Sequence, residues 1–317
     1  MRTITLGNST LECSAMGLGC NRLLDSDDAE SVATVGEALE RGITHFDSAD
    51  MYGVGRGESF LGTVLKGRRD QAFIVSKFGM VMKPEGGMKF VGDPAYVRSA
   101  CEKSLGRLAT DRIDLYYQHR IDPDIPVEET FGAMSRLVDE GKVRSLGISN
   151  ATADQIRRAH ATFPLSAVQM EYSLFNRGSE NEILPLCAEL GITFVAYGPL
   201  SFALLGGDIG RLDDLPEDDR YRRNMPRFHD GNIGHNLELM EVLKEVAGEL
   251  GASTAQLTLA WFLAGPYDVL PIPGSRRRVH LIENSEAVDL TLSAAQMERL
   301  DAAFPLGAGK GTPGAEG

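Results

Sequence analysis

His45-Phe46-Asp47-Ser48-Ala49-Asp50-Met51-Tyr52-Gly53 opens as an apolar–polar alternation and then breaks into Tyr-Gly. The first half suits a strand with one buried face, and the second suits a turn. Asp47 and Tyr52 are five positions apart. An odd separation sets two residues on opposite faces of one continuous strand. For the pair to act together the chain must turn between them, with Asp47 at the strand tip and Tyr52 on the loop beyond it. A carboxylate and a phenol so placed can serve as an acid/base pair, but surface Asp and Tyr are common. The reading gains weight only with partners.

Moving outward, the same unit recurs: a short apolar run, a loop, then a helix-patterned segment. The strand-like runs are Ala15–Cys20, Thr44–Ala49, Ala72–Phe78, Ile113–His119, Val143–Ser149, Ala167–Tyr172, Thr193–Tyr197 and Val269–Pro273. Asp27-Asp28, Asp93-Pro94, Pro126 with Glu128-Glu129, and Thr152 open helical segments between them. Strict alternation of this kind predicts a parallel sheet with helices outside, and eight strands is the number that closes a (β/α)8 TIM barrel. A doubly wound sheet is the rival. It would want GxGxxG after the first strand, whereas Gly17-Leu18-Gly19-Cys20-Asn21-Arg22-Leu23 lacks the third glycine. Residues 3–13 read as a short N-terminal β-hairpin, a plug or cap. Residues 201–233 form a long charged loop after strand seven, on the side where barrel sites are built. The expected organisation is one barrel domain over 1–304 and a flexible Gly-rich tail over 305–317.

Composition agrees with one large domain. The chain has 317 residues and 43% apolar content, with 32 basic against 45 acidic residues for a net charge of −13. That balance argues against nucleic acid or an anionic membrane as partner. No segment near Met1 resembles a signal peptide, and no apolar run is long enough to span a bilayer. Cys13, Cys20, Cys101 and Cys187 are scattered without a CxxC, which predicts reduced thiols and a cytoplasmic location. The six histidines form no close ligand pair, so no metal is expected. Nothing marks an obligate interface, which leaves a monomer or weak homo-oligomer.

If the strands close, their C-terminal ends share one mouth. Strand two then brings Asp47 and Tyr52, strand three Lys77, strand four His119, strand five Ser149 and Asn150, strand six Gln169 and strand seven Tyr197. Each alone reads as an ordinary exposed or hydrogen-bonded residue. At equivalent positions of successive strands they suit protonation of a carbonyl oxygen as hydride reaches its carbon. A phenol with a pKa of ~10 is a poor donor at neutral pH. A lysine ammonium ~4 Å away favours the phenolate by up to ~4 kcal/mol at an effective dielectric of ~20. Asp47 would hold Lys77 charged and in place, and His119 would orient the carbonyl.

These motifs together resemble the aldo-keto reductase family of NADPH-dependent (β/α)8 barrels. The likeness is carried by Phe46–Gly53, Val75-Ser76-Lys77, Leu115–His119, Gly147-Ile148-Ser149-Asn150, Gln169 with Glu171-Tyr172, Ala196-Tyr197-Gly198-Pro199-Leu200 and Ile272-Pro273-Gly274-Ser275 with Glu283-Asn284. Tyr117–Asp122 and Arg222–Phe228 look closest to the bacterial, fungal and plant branch that includes perakine reductase-like enzymes. The resemblance implies the tetrad Asp47, Tyr52, Lys77 and His119, with Tyr52 the general acid. It implies NADP(H) held by Gly19, Cys20, Asp47, Ser149, Asn150, Gln169, Tyr197, Gly198, Pro199, Leu200, Ile272, Gly274, Ser275, Arg276, His280, Glu283 and Asn284. Ser149, Asn150 and Gln169 would take the carboxamide, and Tyr197 would stack on the nicotinamide. The basic start at Ser275-Arg276-Arg277-Arg278 would take the 2′-phosphate.

Pocket walls are expected from Met51, Phe78, Met80, Arg120 and Phe202, an apolar and tolerant lining around a small-molecule carbonyl substrate. Arg120 either binds an anionic substrate or pairs with Asp122 or Asp124. The family also contains NADP(H)-binding, redox-sensing regulatory subunits with slow turnover, and this is the alternative function. A barrel aldolase or isomerase using Lys77 as a Schiff base is a third reading, disfavoured because Asp47 close to Lys77 would pair its ammonium and leave a poor nucleophile.

Overall fold

Alternation along each strand decides what enters the barrel. The computed structural model describes residues 1–207, 209–229 and 231–312. Its eight barrel strands are Leu18–Gly19, His45–Asp47, Phe73–Phe78, Leu115–Gln118, Leu146–Ser149, Ala167–Glu171, Thr193–Tyr197 and Val269–Pro271, all parallel to their neighbours and in sequential order. The circle closes where Gly17 N donates to Pro271 O and Gly19 N to Pro273 O, both at 3.0 Å. This is the (β/α)8 barrel expected from the repeat.

Phe73, Val75, Leu115, Tyr117, Ala167, Val195 and Leu270 form one apolar cluster with Leu6, Leu11 and Cys13. These are the lumen residues, and the hairpin of Thr3–Thr5 and Glu12–Ser14 plugs the end opposite the mouth. The intervening residues Phe46, Ile74, Tyr116, Ile148, Val168 and Phe194 face the other way, into the larger cluster shared with the helices. Gly147 is required inside: a Cβ there would lie 2.3 Å from the Tyr117 ring.

The helices begin where local chemistry sets them. Asp93 accepts hydrogen bonds from Ala95 N and Tyr96 N at the start of Pro94–Leu108. Thr152 and Gln155 form a capping box before Ala153–Thr162. One element escaped the sequence reading, a hairpin of Met80–Met82 and Met88–Phe90 inserted after strand three.

Part of the Gly-rich end packs against the barrel. Lys310 N donates to Asn236 Oδ1 at 2.8 Å, Asn236 Nδ2 donates to Lys310 O at 3.1 Å, and Thr312 is buried. A Cβ at Gly309 would sit 2.4 Å from Phe175 O, and one at Gly311 2.5 Å from Arg227 N. The glycines there serve close packing against the barrel. The rest of that segment, residues 313–317, lies outside the described residues. Among the described residues no helix is long and apolar enough to cross a membrane.

Candidate active site

The lumen face that carries Val75 and Leu115 carries polar groups one layer nearer the mouth. On strand two, His45 and Asp47 share the inward face, with Phe46 between them pointing out. On strand three, Val75 is followed two residues later by Lys77. Strands four, six and seven deliver His119, Gln169 and Tyr197 by the same period.

Lys77 has no exposed surface, and its ammonium pairs with Asp47 Oδ1 and donates to Ser48 O at 2.9 Å. The Tyr52 hydroxyl lies 3.5 Å from the Lys77 Nζ. Tyr52 returns over the mouth because the chain folds back on itself: Tyr52 N donates to Ala49 O, Gly57 N donates to Tyr52 O, and Gly53, Val54 and Gly55 are all left-handed. His119 packs edge-on to the Tyr52 ring with centroids 5.9 Å apart. Its Nδ1 is buried without a protein partner.

Burial changes the electrostatics read from sequence. Desolvation raises the Tyr52 phenol above its ordinary value, and the neighbouring Lys77 charge offsets only part of that rise. Proximity to Lys77 therefore does not by itself make Tyr52 acidic. Burial opposes the Lys77 charge too, yet Asp47 and Tyr52 outweigh it and its pKa is raised, so the ammonium persists. A buried, carboxylate-bound ammonium does not suit Schiff-base chemistry. His119 is held neutral, first by burial and then by the charges of Lys77 and Arg120.

The residues expected at the cofactor lie around this core. Gln169 Nε2 donates to Asp47 Oδ2 at 2.7 Å, so its amide nitrogen is engaged while the amide still carries an acceptor oxygen. Asn150 is left-handed, donates to Ser149 Oγ at 2.7 Å and accepts from the Tyr197 hydroxyl at 2.9 Å. Ser149, Asn150 and Tyr197 thus form one linked polar group beside Asp47. Gly198 is left-handed, and a Cβ there would press on the Phe202 ring at 3.3 Å. Pro199 is buried and Leu200 partly so.

Ile272 joins the sheet by donating to Ala196 O, and Gly274 bridges to Gly19. The Cys20 side chain is wholly buried against Leu18 O, so only its backbone borders the site. Ser275 folds a local turn with Arg277, and Arg276 is exposed. Arg278 is occupied by Glu30 at 3.0 Å, and His280 faces Glu283 at 3.6 Å. Asn284 is buried beside them.

Met51, Met80, Arg120 and Phe202 are partly exposed at or near the mouth. Phe78 is not among them. It follows Lys77 on the strand, so it points outward, fully buried and stacked on Tyr116 with centroids 5.1 Å apart.

Several residues were missed. Glu58 is wholly buried and accepts from Ser76 Oγ at 2.5 Å and from Arg107 Nε at 2.6 Å, tying the helix behind Tyr52 to the strand of Lys77. Buried Arg227 donates to Ser201 Oγ at 2.8 Å and Glu171 Oε1 at 2.7 Å. Asp219 pairs with Arg22 and with Arg222, the latter at 2.7 Å. These pairs strap the loop after strand seven across to the loop after strand one. The mixture of Arg and Asp in 201–233 signalled pairing without naming the partners.

Known proteins share this sequence and fold. The model of the aldo/keto reductase family matches residues 15–304. A probable aldo-keto reductase 1 of Glycine max is 40% identical over 313 residues, 97% of this chain and 90% of that protein. Among solved structures, a glycerol dehydrogenase from Gluconobacter oxydans superposes with a TM-score of 0.87 at 28% identity, over 95% of this chain and 94% of that one. An aldo/keto reductase from Klebsiella pneumoniae, crystallised with NADP and acetate, gives a TM-score of 0.74 at 29% identity, covering 96% and 95% of the two chains.

Proposed function

The chain belongs to the aldo/keto reductase family, and on that premise we propose that it is an NADPH-dependent oxidoreductase that reduces aldehyde or ketone carbonyls to alcohols. The observation that carries this reading is the constellation itself: a buried Lys77–Asp47 pair, a phenol 3.5 Å from the ammonium, and a neutral imidazole against that phenol.

Bound NADPH would supply hydride to the carbonyl carbon. Tyr52, kept protonated by its raised pKa, gives its proton to the carbonyl oxygen. Lys77 stabilises the phenolate left behind, and Asp47 keeps Lys77 charged through the step. Neutral His119 presents a ring N–H that can share the carbonyl oxygen with Tyr52 and fix its direction. Tyr52 keeps part of its surface in solvent, so it can recover a proton between turnovers.

The donor set suits the cofactor. Ser149, Asn150 and the free oxygen of Gln169 match a carboxamide, and Tyr197 offers a flat face to a nicotinamide. Gly19, Cys20, Gly198, Pro199, Leu200, Ile272 and Gly274 would complete the cofactor's contacts. Ser275 and exposed Arg276 suit the 2′-phosphate, with Glu283 and Asn284 at the adenine. The relative crystallised with NADP supports this choice.

The test is NADPH oxidation against a panel of aldehydes and ketones, with NADH in parallel. Turnover on a carbonyl with NADPH preferred is expected. Tight NADPH binding without turnover across the panel would replace this reading with that of a redox-sensing regulatory subunit.

A further inference from the structure

Four arginines gather at the mouth, and three are committed. Arg22 and Arg222 pair with Asp219, and Arg227 pairs with Glu171. Arg120 has no carboxylate within 4 Å among the described residues. The acids nearest in sequence are otherwise employed. Asp122 is buried and accepts from Gly92 N at 2.8 Å through one oxygen and from Asp124 N at 3.0 Å through the other. The alternative of a local ion pair is therefore not realised.

Arg120 immediately follows His119 and is only partly exposed. Its charge is felt by rings from three elements: His119 at the rim of strand four, Tyr197 at the end of strand seven, and Tyr221 on the strap. Arg120 therefore stands beside the reacting end of the site, directly after His119 on the rim of strand four, whereas Arg276 follows strand eight. A half-buried guanidinium without an anion is costly, and its planar fork matches a carboxylate.

We propose that Arg120 selects carbonyl substrates that also carry a carboxylate, the carboxylate seated on the guanidinium while the carbonyl oxygen lies between Tyr52 and His119. This rests on the reductase reading and narrows it to aldehydo- and keto-acids. Because the two recognition residues are adjacent, with Cα atoms ~3.8 Å apart, the carboxylate and carbonyl must be separated by a short spacer. One aromatic ring or a few methylenes would serve.

The experiment compares para-carboxybenzaldehyde with its neutral methyl ester at saturating NADPH, in wild type, Arg120→Met and Arg120→Lys. A charge-assisted contact of this kind corresponds to roughly 10- to 100-fold in kcat/KM. Wild type should favour the carboxylate by that ratio, less so at high salt. The ratio should collapse to about one in Arg120→Met and be partly restored in Arg120→Lys. A wild-type ratio near one, or a ratio unmoved by Arg120→Met, would overturn the carboxylate assignment while leaving the reductase reading intact. Turnover of neither aldehyde, nor of any carbonyl in the wider panel, would overturn both.

Discussion

Gln169 donates its amide N–H to Asp47 Oδ2 at 2.7 Å, the carboxylate oxygen that Lys77 leaves free. Asp47 is thereby held from its neighbouring strand and from strand six across the barrel, and both of its oxygens are engaged in a layer without solvent. Lys77→Met should strand this carboxylate. Removing one partner of a buried pair costs roughly 3–5 kcal/mol, so urea denaturation should show a loss of that order, with carbonyl reduction falling as well. A variant as stable as wild type would show that Asp47 does not need its partner.

Tyr52→Phe should behave differently. Its hydroxyl makes one long contact, to Lys77 at 3.5 Å, and the backbone of its turn is unaffected by the change. General acids contribute roughly 10²- to 10⁴-fold. The variant should lose kcat on that scale while its fold and NADPH affinity stay near normal. Unchanged turnover would sink the assignment of Tyr52 as proton donor.

The period-two alternation made much of this site legible. Lys77, His119, Gln169 and Tyr197 each follow apolar alternate members of their runs, and Asp47 follows His45 in the same period, so the face they share follows from counting. The same count applied to Phe78, next to Lys77, predicts the outward face on which it is found. Its placement in the pocket neglected that rule. What the chain does not show locally are long-range partners. Arg227 meets Glu171 across 56 positions, and Arg22 meets Asp219 across 197. Nor does a residue list reveal how deeply a phenol is set. The charge of Lys77 was legible, but the desolvation that outweighs it on Tyr52 was not. Nor can composition distinguish an unpacked glycine from one that a backbone atom approaches closely, as at Gly309 and Gly311.

Two groups give opposing pH dependences. Burial, aided by Glu58 and opposed by Arg107, pushes the Asp50 carboxyl up from 3.8 to about 7. Between those values the folded protein keeps a proton that the unfolded chain has released, so stability falls as pH rises. His45, buried without a polar partner, is pushed down from 6.5 to about 4. There the unfolded chain takes up a proton that the folded protein refuses, so stability falls as pH drops. Over the shared window the two slopes largely cancel. Asp50→Asn removes one of them. It should raise stability by on the order of 2–4 kcal/mol near pH 8 and leave it unchanged near pH 4, with a steeper rise with pH between. Denaturation midpoints that shift equally at both pH values would contradict the assignment.

Arg276 and Arg277 are both exposed at the basic helix start with no carboxylate within 4 Å among the described residues, whereas Arg278 is taken by Glu30; Arg276 directly follows Ser275 and is the one assigned to the 2′-phosphate. Arg276→Ala should weaken NADPH binding by roughly 10- to 100-fold, the scale of a lost charge-assisted contact, and leave NADH binding nearly unchanged. Fluorescence titration with both cofactors reads this directly. Equal weakening of the two would remove Arg276 from the 2′-phosphate.

The strap begins in strained backbone. Ser201, Phe202 and Ala203 follow one another with φ of 47°, 59° and 79°. For residues other than glycine this region costs roughly 1–2 kcal/mol each. Ser201 has a compensation, because its hydroxyl accepts from buried Arg227 at 2.8 Å. Ala203 makes no side-chain hydrogen bond. Ala203→Gly should therefore stabilise the protein, by up to ~1 kcal/mol once the added freedom of glycine in the unfolded chain is deducted. Ser201→Gly relieves the same strain but leaves an Arg227 donor without its partner, at a cost of ~1–3 kcal/mol, and should destabilise. Opposite signs in urea denaturation are the expected result. If both variants stabilise, the bond from Arg227 does not hold the strap. If both destabilise, the left-handed run carries no strain that glycine can release, and the chain is content in a conformation that L-residues ordinarily avoid.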